Sequence, residues 1–180
     1  QNKHKSAAVR VATVAALRRL KHPGVKSFLA DSSEWVLREA ISAAHDDESI
    51  PEALPAVADL LPSNTSQSEA ITRRLLSANL RVGKAVNAER LLAYALDQSK
   101  PSAMRAEALL CLGDWNRRPF VDRVEGRVRE LSRRDDSLAS KLISSNLQDL
   151  FEASDSGGDG RQDNDPKRLG CGAPVGFDLL

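Results

Sequence analysis

Five cationic side chains fall between positions 73 and 90: Arg73, Arg74, Arg81, Lys84 and Arg90. Such a group can hold an anion, either a phosphate or an acidic loop of a partner protein. A solvated helical face needs no ligand and is the preferred reading of the same residues. A second set of arginines, Arg10, Arg38 and Arg105, recurs at one place in successive segments. Their stems are expected to pack between segments, and their heads to pair with a neighbouring carboxylate or carbonyl, rather than to line a ligand stripe. His45-Asp46-Asp47-Glu48 sets an imidazole beside three acids, the raw material of a metal site or a general base. The spacing fits neither an EF-hand loop nor tetrahedral zinc, and a turn followed by helix-capping carboxylates accounts for it. Cys111, between Leu110 and Leu112, reads as a buried, inert thiol, and Cys171 as the more reactive one. Two cysteines without a C-x-x-C pair give no disulfide framework. No G-x-S-x-G, P-loop, dinucleotide-binding glycine turn or H-E-x-x-H occurs. The sequence therefore assigns no catalytic, cofactor-binding or metal-ligating residue.

These groups need elements to position them. Of 180 residues, 41% are hydrophobic and 28% charged, and the net charge is +1, which suits a folded domain rather than a disordered polyion. Seven aromatics and a near-neutral balance argue against a nucleic-acid surface. The apolar runs are too short to cross a bilayer, and Arg10, Arg18 and Arg19 interrupt any leader-like core after Gln1-Asn2-Lys3-His4-Lys5.

Apolar residues recur at three- and four-residue spacing, and strand-like alternation is missing. The first helix is expected from about Ser6 to Lys21, with a stripe of Val9, Ala12, Val14, Ala16, Leu17 and Leu20. A short partner, Val25 to Ala30, follows Pro23-Gly24. Asp31-Ser32-Ser33 supplies cap oxygens for a helix ending at His45-Asp46-Asp47. Ile50 to Leu61 is punctuated by Pro51, Pro55 and Pro62. Ser66 to Val82 is closed by Gly83 and partnered by Ala85 to Leu96. Ala103 to Leu112 ends at Gly113-Asp114-Trp115. Residues 116–131 read as polar and irregular, and a last helix spans about Asp136 to Phe151. Trp35 and Trp115 are placed in the core, as are Ile41 and Leu109. From position 155 the composition changes: the last 26 residues hold six glycines, five aspartates and two prolines, and read as a disordered tail. The unusual close of that tail, Gly170 to Leu180, fits a misread terminus or a fragment edge.

Aligning Val9-Arg10-Val11-Ala12, Leu37-Arg38-Glu39-Ala40, Arg73-Arg74-Leu75-Leu76 and Met104-Arg105-Ala106-Glu107 places the arginines 28, 36 and 31 residues apart. Irregular spacing of this kind fits helical hairpins joined by variable loops, each burying its apolar face on the next. The expected fold is all-α: a solenoid of about four HEAT-like helical hairpins over residues 1–154, with residues 155–180 as the tail.

Phe28-Leu29-Ala30-Asp31-Ser32, Val36-Leu37-Arg38-Glu39-Ala40, Ala44-His45-Asp46-Asp47, Ser49-Ile50 and Ala53-Leu54-Pro55 follow one another in an order that resembles a family of large bacterial proteins. The run continues through Ala78-Asn79-Leu80-Arg81-Val82-Gly83, Ala88 to Ala95, Met104 to Leu109, Asp114-Trp115 and Asp122 to Arg127. The family is that of the membrane-bound-dehydrogenase-like proteins, in which a sugar-dehydrogenase-like propeller precedes HEAT repeats and a C-terminal c-type haem domain. The resemblance covers roughly residues 5–150 and only the middle of that architecture. It implies a non-catalytic scaffold or protein-interaction role, with neighbouring domains of the same chain or a separate protein as partner. No cofactor falls in this segment; haem c belongs to the parent protein, whose reaction would be a sugar or alcohol oxidation. The chain lacks both the propeller and C-x-x-C-H, so no residue inherits that chemistry, and without a start Met it reads as a fragment. An exported or periplasmic location follows from the resemblance, and a cytoplasmic one if the module is instead an intracellular regulator. The alternative function is a free-standing HEAT-like enzyme, glycosylase-like or chromophore-lyase-like, using Trp115 and Asp114 near Arg117 and Arg118 on its concave face.

Overall fold

The computed structural model describes residues 3–46 and 48–155. Their fold is mainly helical. The α-helices are α1 (Ala7–Arg19), α2 (Glu34–His45), α3 (Leu54–Ala58), α4 (Glu69–Val82), α5 (Ala85–Leu96), α6 (Ser102–Gly113), α7 (Leu138–Ser145) and α8 (Leu147–Asp155). Three 3-10 turns, Pro23–Phe28, Pro51–Ala53 and Leu61–Ser63, lie between them. In one layer α1 packs on α2, α2 on α4 and α4 on α6. In the other, the turn at Pro23–Phe28 meets that at Pro51–Ala53, the turn at Leu61–Ser63 meets α5, and α5 meets α7 and α8.

The layers follow from where the apolar residues fall. In α2, Val36, Ala40, Ile41, Ala43 and Ala44 are buried, the spacing of one helical face. Trp35 precedes that face by one residue, about 100° around the helix, and is 48% exposed. The core position expected for it is thus corrected, whereas Trp115 is buried as expected. In α1 the buried side is Val14, flanked by the partly buried Ala7, Val11 and Leu17, while Val9, Ala12, Ala16 and Leu20 face solvent. The stripe expected for α1 is too wide, because among the described residues α1 packs chiefly on α2 and on the turn at Pro23–Phe28, along one side only. α4 lies between α2, α3, α5 and α6, and buries Ile71, Leu75, Leu76, Ala78 and Leu80.

Two asparagines inside this core, Asn79 and Asn87, are bonded across helix boundaries. Asn79, fully buried on α4, donates through Nδ2 to the carbonyls of Ala58 in α3 (3.0 Å) and Leu75 (2.8 Å). Its Oδ1 accepts from Asn87 Nδ2 on α5 (2.8 Å), and Asn87 Oδ1 accepts from the Lys84 amide at the start of that helix (3.1 Å). One amide thereby fixes three helices, as a buried polar group must be paired to be tolerated.

Chain breaks locate the rest. Pro51, Pro55 and Pro62 cut the expected Ile50–Leu61 helix into a 3-10 turn, the short α3 and a second turn. Likewise the expected partner at Val25–Ala30 is the 3-10 turn Pro23–Phe28. Ser33 is the residue before α2, but its side chain makes no cap bond; Asp31 Oδ1 instead accepts the Ser33 amide at 2.9 Å. Gly83 closes α4 at φ +68°, and a Cβ there would run into the Arg134 guanidinium. Arg134 Nη1 donates to the Leu80 carbonyl at 2.6 Å and its Cζ sits 4.8 Å from the Trp115 ring centroid, so one cation caps α4 and covers the tryptophan. The segment at 116–131 holds a two-residue antiparallel pair, Phe120 opposite Arg129 and Val121 opposite Val128. The sequence predicts no strand there, since two residues are too few to show alternation. The last expected helix is two, α7 and α8, parted at Asn146, whose Nδ2 bonds back to the Leu142 carbonyl (2.8 Å). The tail expected from 155 lies outside the described residues apart from Asp155, the last residue of α8, as does Cys171.

Ile41→Ala should cost about 2–5 kcal/mol in urea denaturation, the range for an emptied core site. Leu109→Ala, at a half-buried position of α6, should cost less, and Leu20→Ala, 74% exposed, should stay within about 0.5 kcal/mol of wild type. Gly83→Ala should destabilise by about 1 kcal/mol or more, since it combines a left-handed backbone with a steric conflict.

Candidate functional site

α4 presents Arg73 and Arg74 one residue apart, and a helix turns consecutive side chains by about 100°. They therefore reach opposite neighbours. Arg74 forks onto Asp46 at the C-terminal end of α2, Nε to Oδ1 at 2.8 Å and Nη2 to Oδ2 at 3.0 Å. Arg73 reaches forward to Glu107 of α6 (Nη1 to Oε2, 3.0 Å) and along its own helix to Glu69 (2.7 Å). Glu107 is itself shared, because Arg123 Nε donates to its other oxygen at 2.9 Å. Arg123 also pairs with Asp114 and lies 3.7 Å from Cys111 Sγ.

The remaining members of the expected basic group go elsewhere. Arg81 turns inward to the His45 carbonyl (2.7 Å), with Glu48 and Asp122 carboxylate oxygens 3.8 Å away. Arg90 pairs with Asp59 at 2.7 Å, and Lys84 is exposed at the start of α5. A group gathered within 18 positions of sequence is thus dispersed, its arginines on separate partners and Lys84 at the surface. Of the recurring arginines, Arg10 forks onto Asp31 (2.7 and 2.8 Å) and Arg105 donates to the Ala95 and Ala153 carbonyls (2.9 and 2.7 Å). Arg38 differs: it is half exposed and lies 4.0 Å from Glu39.

Around the end of α2 these contacts form a compact polar cluster. His45 is fully buried; its Nδ1 donates to Asp46 Oδ1 at 3.0 Å, while its buried Nε2 has no hydrogen-bond partner among the described residues. Burial by itself would raise the Asp46 carboxyl, yet the hydrogen bonds from His45 and Arg74, and their charges, outweigh it and hold the group at about 2. Asp47 lies outside the described residues. Behind the cluster sits Asp122, fully buried, with Oδ1 accepting the Val124 amide (2.8 Å) and Oδ2 accepting the Ser77 hydroxyl (3.2 Å). Arg129 comes from the short strand pair, donates to the Asp46 carbonyl (3.0 Å), and pairs with Glu125 and with Glu48 (2.5 Å). Two guanidiniums, Arg81 and Arg129, thereby close the C-terminus of α2, where carbonyls point outward unsatisfied. A cavity of about 360 Å³ opens beside them, walled by Ala44, Pro51, Leu54 and Leu131.

The residues weighed for chemistry are engaged in packing. Cys111 is buried, and burial first of all, with nearby carboxylates, pushes its thiol up to about 12 although Arg123 opposes the shift. Trp115 is covered by Arg134, Asp114 pairs with Arg117 and Arg123, and Arg118 donates to the Ser132 carbonyl. Sequence reasoning missed Asp122, Arg123, Glu125 and Arg129 because they fall in the stretch read as irregular. A signal was present: Asp122 folds back on the Val124 amide and Gly126 takes φ +68°, the pattern of a turn begun by Asp and finished by Gly.

Comparison with protein-family models, curated proteins and solved structures finds no match for the chain.

Because the folded Asp46 carboxyl is depressed below its unfolded value, its stabilisation is complete above about pH 4 and is lost as pH falls towards about 2. Asp46→Asn should remove about 1–2 kcal/mol at pH 7 once solvent screening is allowed for. It should also flatten the stability profile between pH 4 and 2, measured by urea denaturation at each pH.

Proposed function

We propose that this chain is a non-catalytic scaffold, a HEAT-type α-solenoid of about four helical hairpins that holds neighbouring domains or a protein partner. The observation that carries this reading is the use of α4: Arg74 ties it back to α2 and Arg73 ties it forward to α6. Charged groups employed to register successive units serve an array whose stability is a sum of unit and neighbour terms. The two-layer packing, one long helix and one shorter element per unit, is what such hairpins require. Trp115 and Asp114, the residues an enzyme of this shape would present, are turned to structural use beneath Arg134 and Arg123.

The parent context we propose is the HEAT region of a membrane-bound-dehydrogenase-like protein, exported or periplasmic, with a c-type haem domain further along the same chain. The ordered run of segments from Phe28 to Arg127 supports it. Among the described residues no helix is long and apolar enough to cross a membrane.

Sequencing the genomic DNA on both sides of the coding segment tests this context. Propeller-like repeats upstream and a C-x-x-C-H downstream are the expected result. A start codon and a stop codon bracketing these residues would remove the dehydrogenase context and leave a free-standing module. For the scaffold itself, a chain lacking the α1 unit, residues 1–32, should keep a helical circular dichroism spectrum and unfold cooperatively at lower urea. Complete loss of helicity would contradict a unit-by-unit array.

A further inference from the structure

Arg81 and Arg129 share two carboxylates in different settings. Asp122 Oδ2 lies on their inner side, 3.8 Å from Arg81 Nη1 and 3.4 Å from Arg129 Nε, and is fully buried. Glu48 Oε1 lies 3.8 Å from Arg81 Nη2 and 2.5 Å from Arg129 Nη1, but this side chain is 64% exposed. Both arginine side chains are more than nine-tenths buried. The inner carboxylate is thus part of the core, whereas the outer one is a surface side chain resting on two buried cations.

Arg81 is the less completely answered of the two. Its only hydrogen bond among the described residues goes to the His45 carbonyl, the nearest described carboxylate oxygens stand beyond hydrogen-bond distance, and burial followed by the charge of Arg129 lowers its pKa against the opposing pull of Asp122, Glu48 and Glu125. The 360 Å³ cavity that both line continues into an apolar wall of Ala44, Pro51, Leu54 and Leu131. That volume is at the small end of small-molecule sites, roughly 300–1,000 Å³.

We propose that the Arg81–Arg129 pair and this cavity form a binding site for a small aliphatic monocarboxylate, with Glu48 occupying the ligand's position until it is displaced. Exchange of one carboxylate for another leaves the local charge unchanged. A phosphate or dicarboxylate would instead add negative charge next to Asp122, Glu125 and Glu130, the last also lining the cavity. A planar carboxylate matches a guanidinium fork, and a short alkyl body matches the apolar wall. This inference stands on the cavity and its cations, independently of the scaffold reading.

Hexanoate titrated into the full chain is the probe, read by the side-chain Nε–Hε signals of Arg81 and Arg129. Glu48→Ala should bind at least tenfold more tightly than wild type, and Glu48→Gln more tightly than wild type as well. The two arginine signals should move together, while hexanol, which lacks the charge, moves neither. Glu48 is exposed, and circular dichroism checks that each variant is folded; the glutamine variant decides the matter if the alanine variant is not. Equal affinity in wild type and variant, no saturable shift in any form, or hexanol matching hexanoate would overturn the site. Tighter binding of acetyl-Leu-Glu-Leu-amide than of hexanoate would overturn the free-acid assignment in favour of a partner's glutamate side chain.

Discussion

The pairing of guanidinium groups with carboxylates across helix boundaries is the constraint on which the arrangement depends. A charge taken out of water costs several kcal/mol unless it is paired and its remaining hydrogen-bonding sites are filled. Asp122 meets that condition: backbone amide and serine hydroxyl on its two oxygens, two arginines beside it. It can meet it only if α4 and the strand pair come together. The polar cluster is therefore a statement about registry, because a slip of any one element would leave a buried charge without its partner.

The same logic explains why an otherwise irregular segment is held in place. Residues 116–137 contribute little apolar burial beyond Phe120 and Leu131, yet they supply Asp122, Arg123, Glu125, Arg129 and Arg134 to the helices. Arg134 closes α4 and shields Trp115; Arg129 closes α2; Arg123 joins α6. Helix termini leave carbonyls unsatisfied, and in this protein side chains from one loop answer two of those ends. The hydrophobic core supplies most of the stabilisation, and the arginines choose among the packings that such a core would allow.

The helical body was legible because its signals are local. α5 runs over the expected Ala85–Leu96, and Gly83 ends α4 as a left-handed residue should. What failed to show was anything set by a neighbour. Trp35 is an apolar residue one place off the buried face, and the outer positions of α1 are apolar yet exposed among the described residues. The basic group from Arg73 to Arg90 appears continuous in sequence, but helical geometry turns adjacent arginines to opposite partners, and those partners, Asp46 and Glu107, lie 28 and 34 residues away. The recurrence of the arginine is visible in sequence and leads to the pairing found for Arg10 and Arg105, whereas Arg38 reaches only Glu39, 4.0 Å away, among the described residues. The cavity by Arg81 and Arg129 could not be read at all, since 48 residues separate its two cations.

The most direct test of the claim that charge pairing registers neighbouring helices is a double-mutant cycle on Asp46 and Arg74. Asp46→Asn, Arg74→Gln and the double variant would be compared with wild type by urea denaturation at pH 7. The account predicts a coupling of about 1–3 kcal/mol, the range for residues joined in one partly buried network. Additive single effects, with a coupling within about 0.3 kcal/mol of zero, would show that the two groups lie close without holding α2 and α4 together.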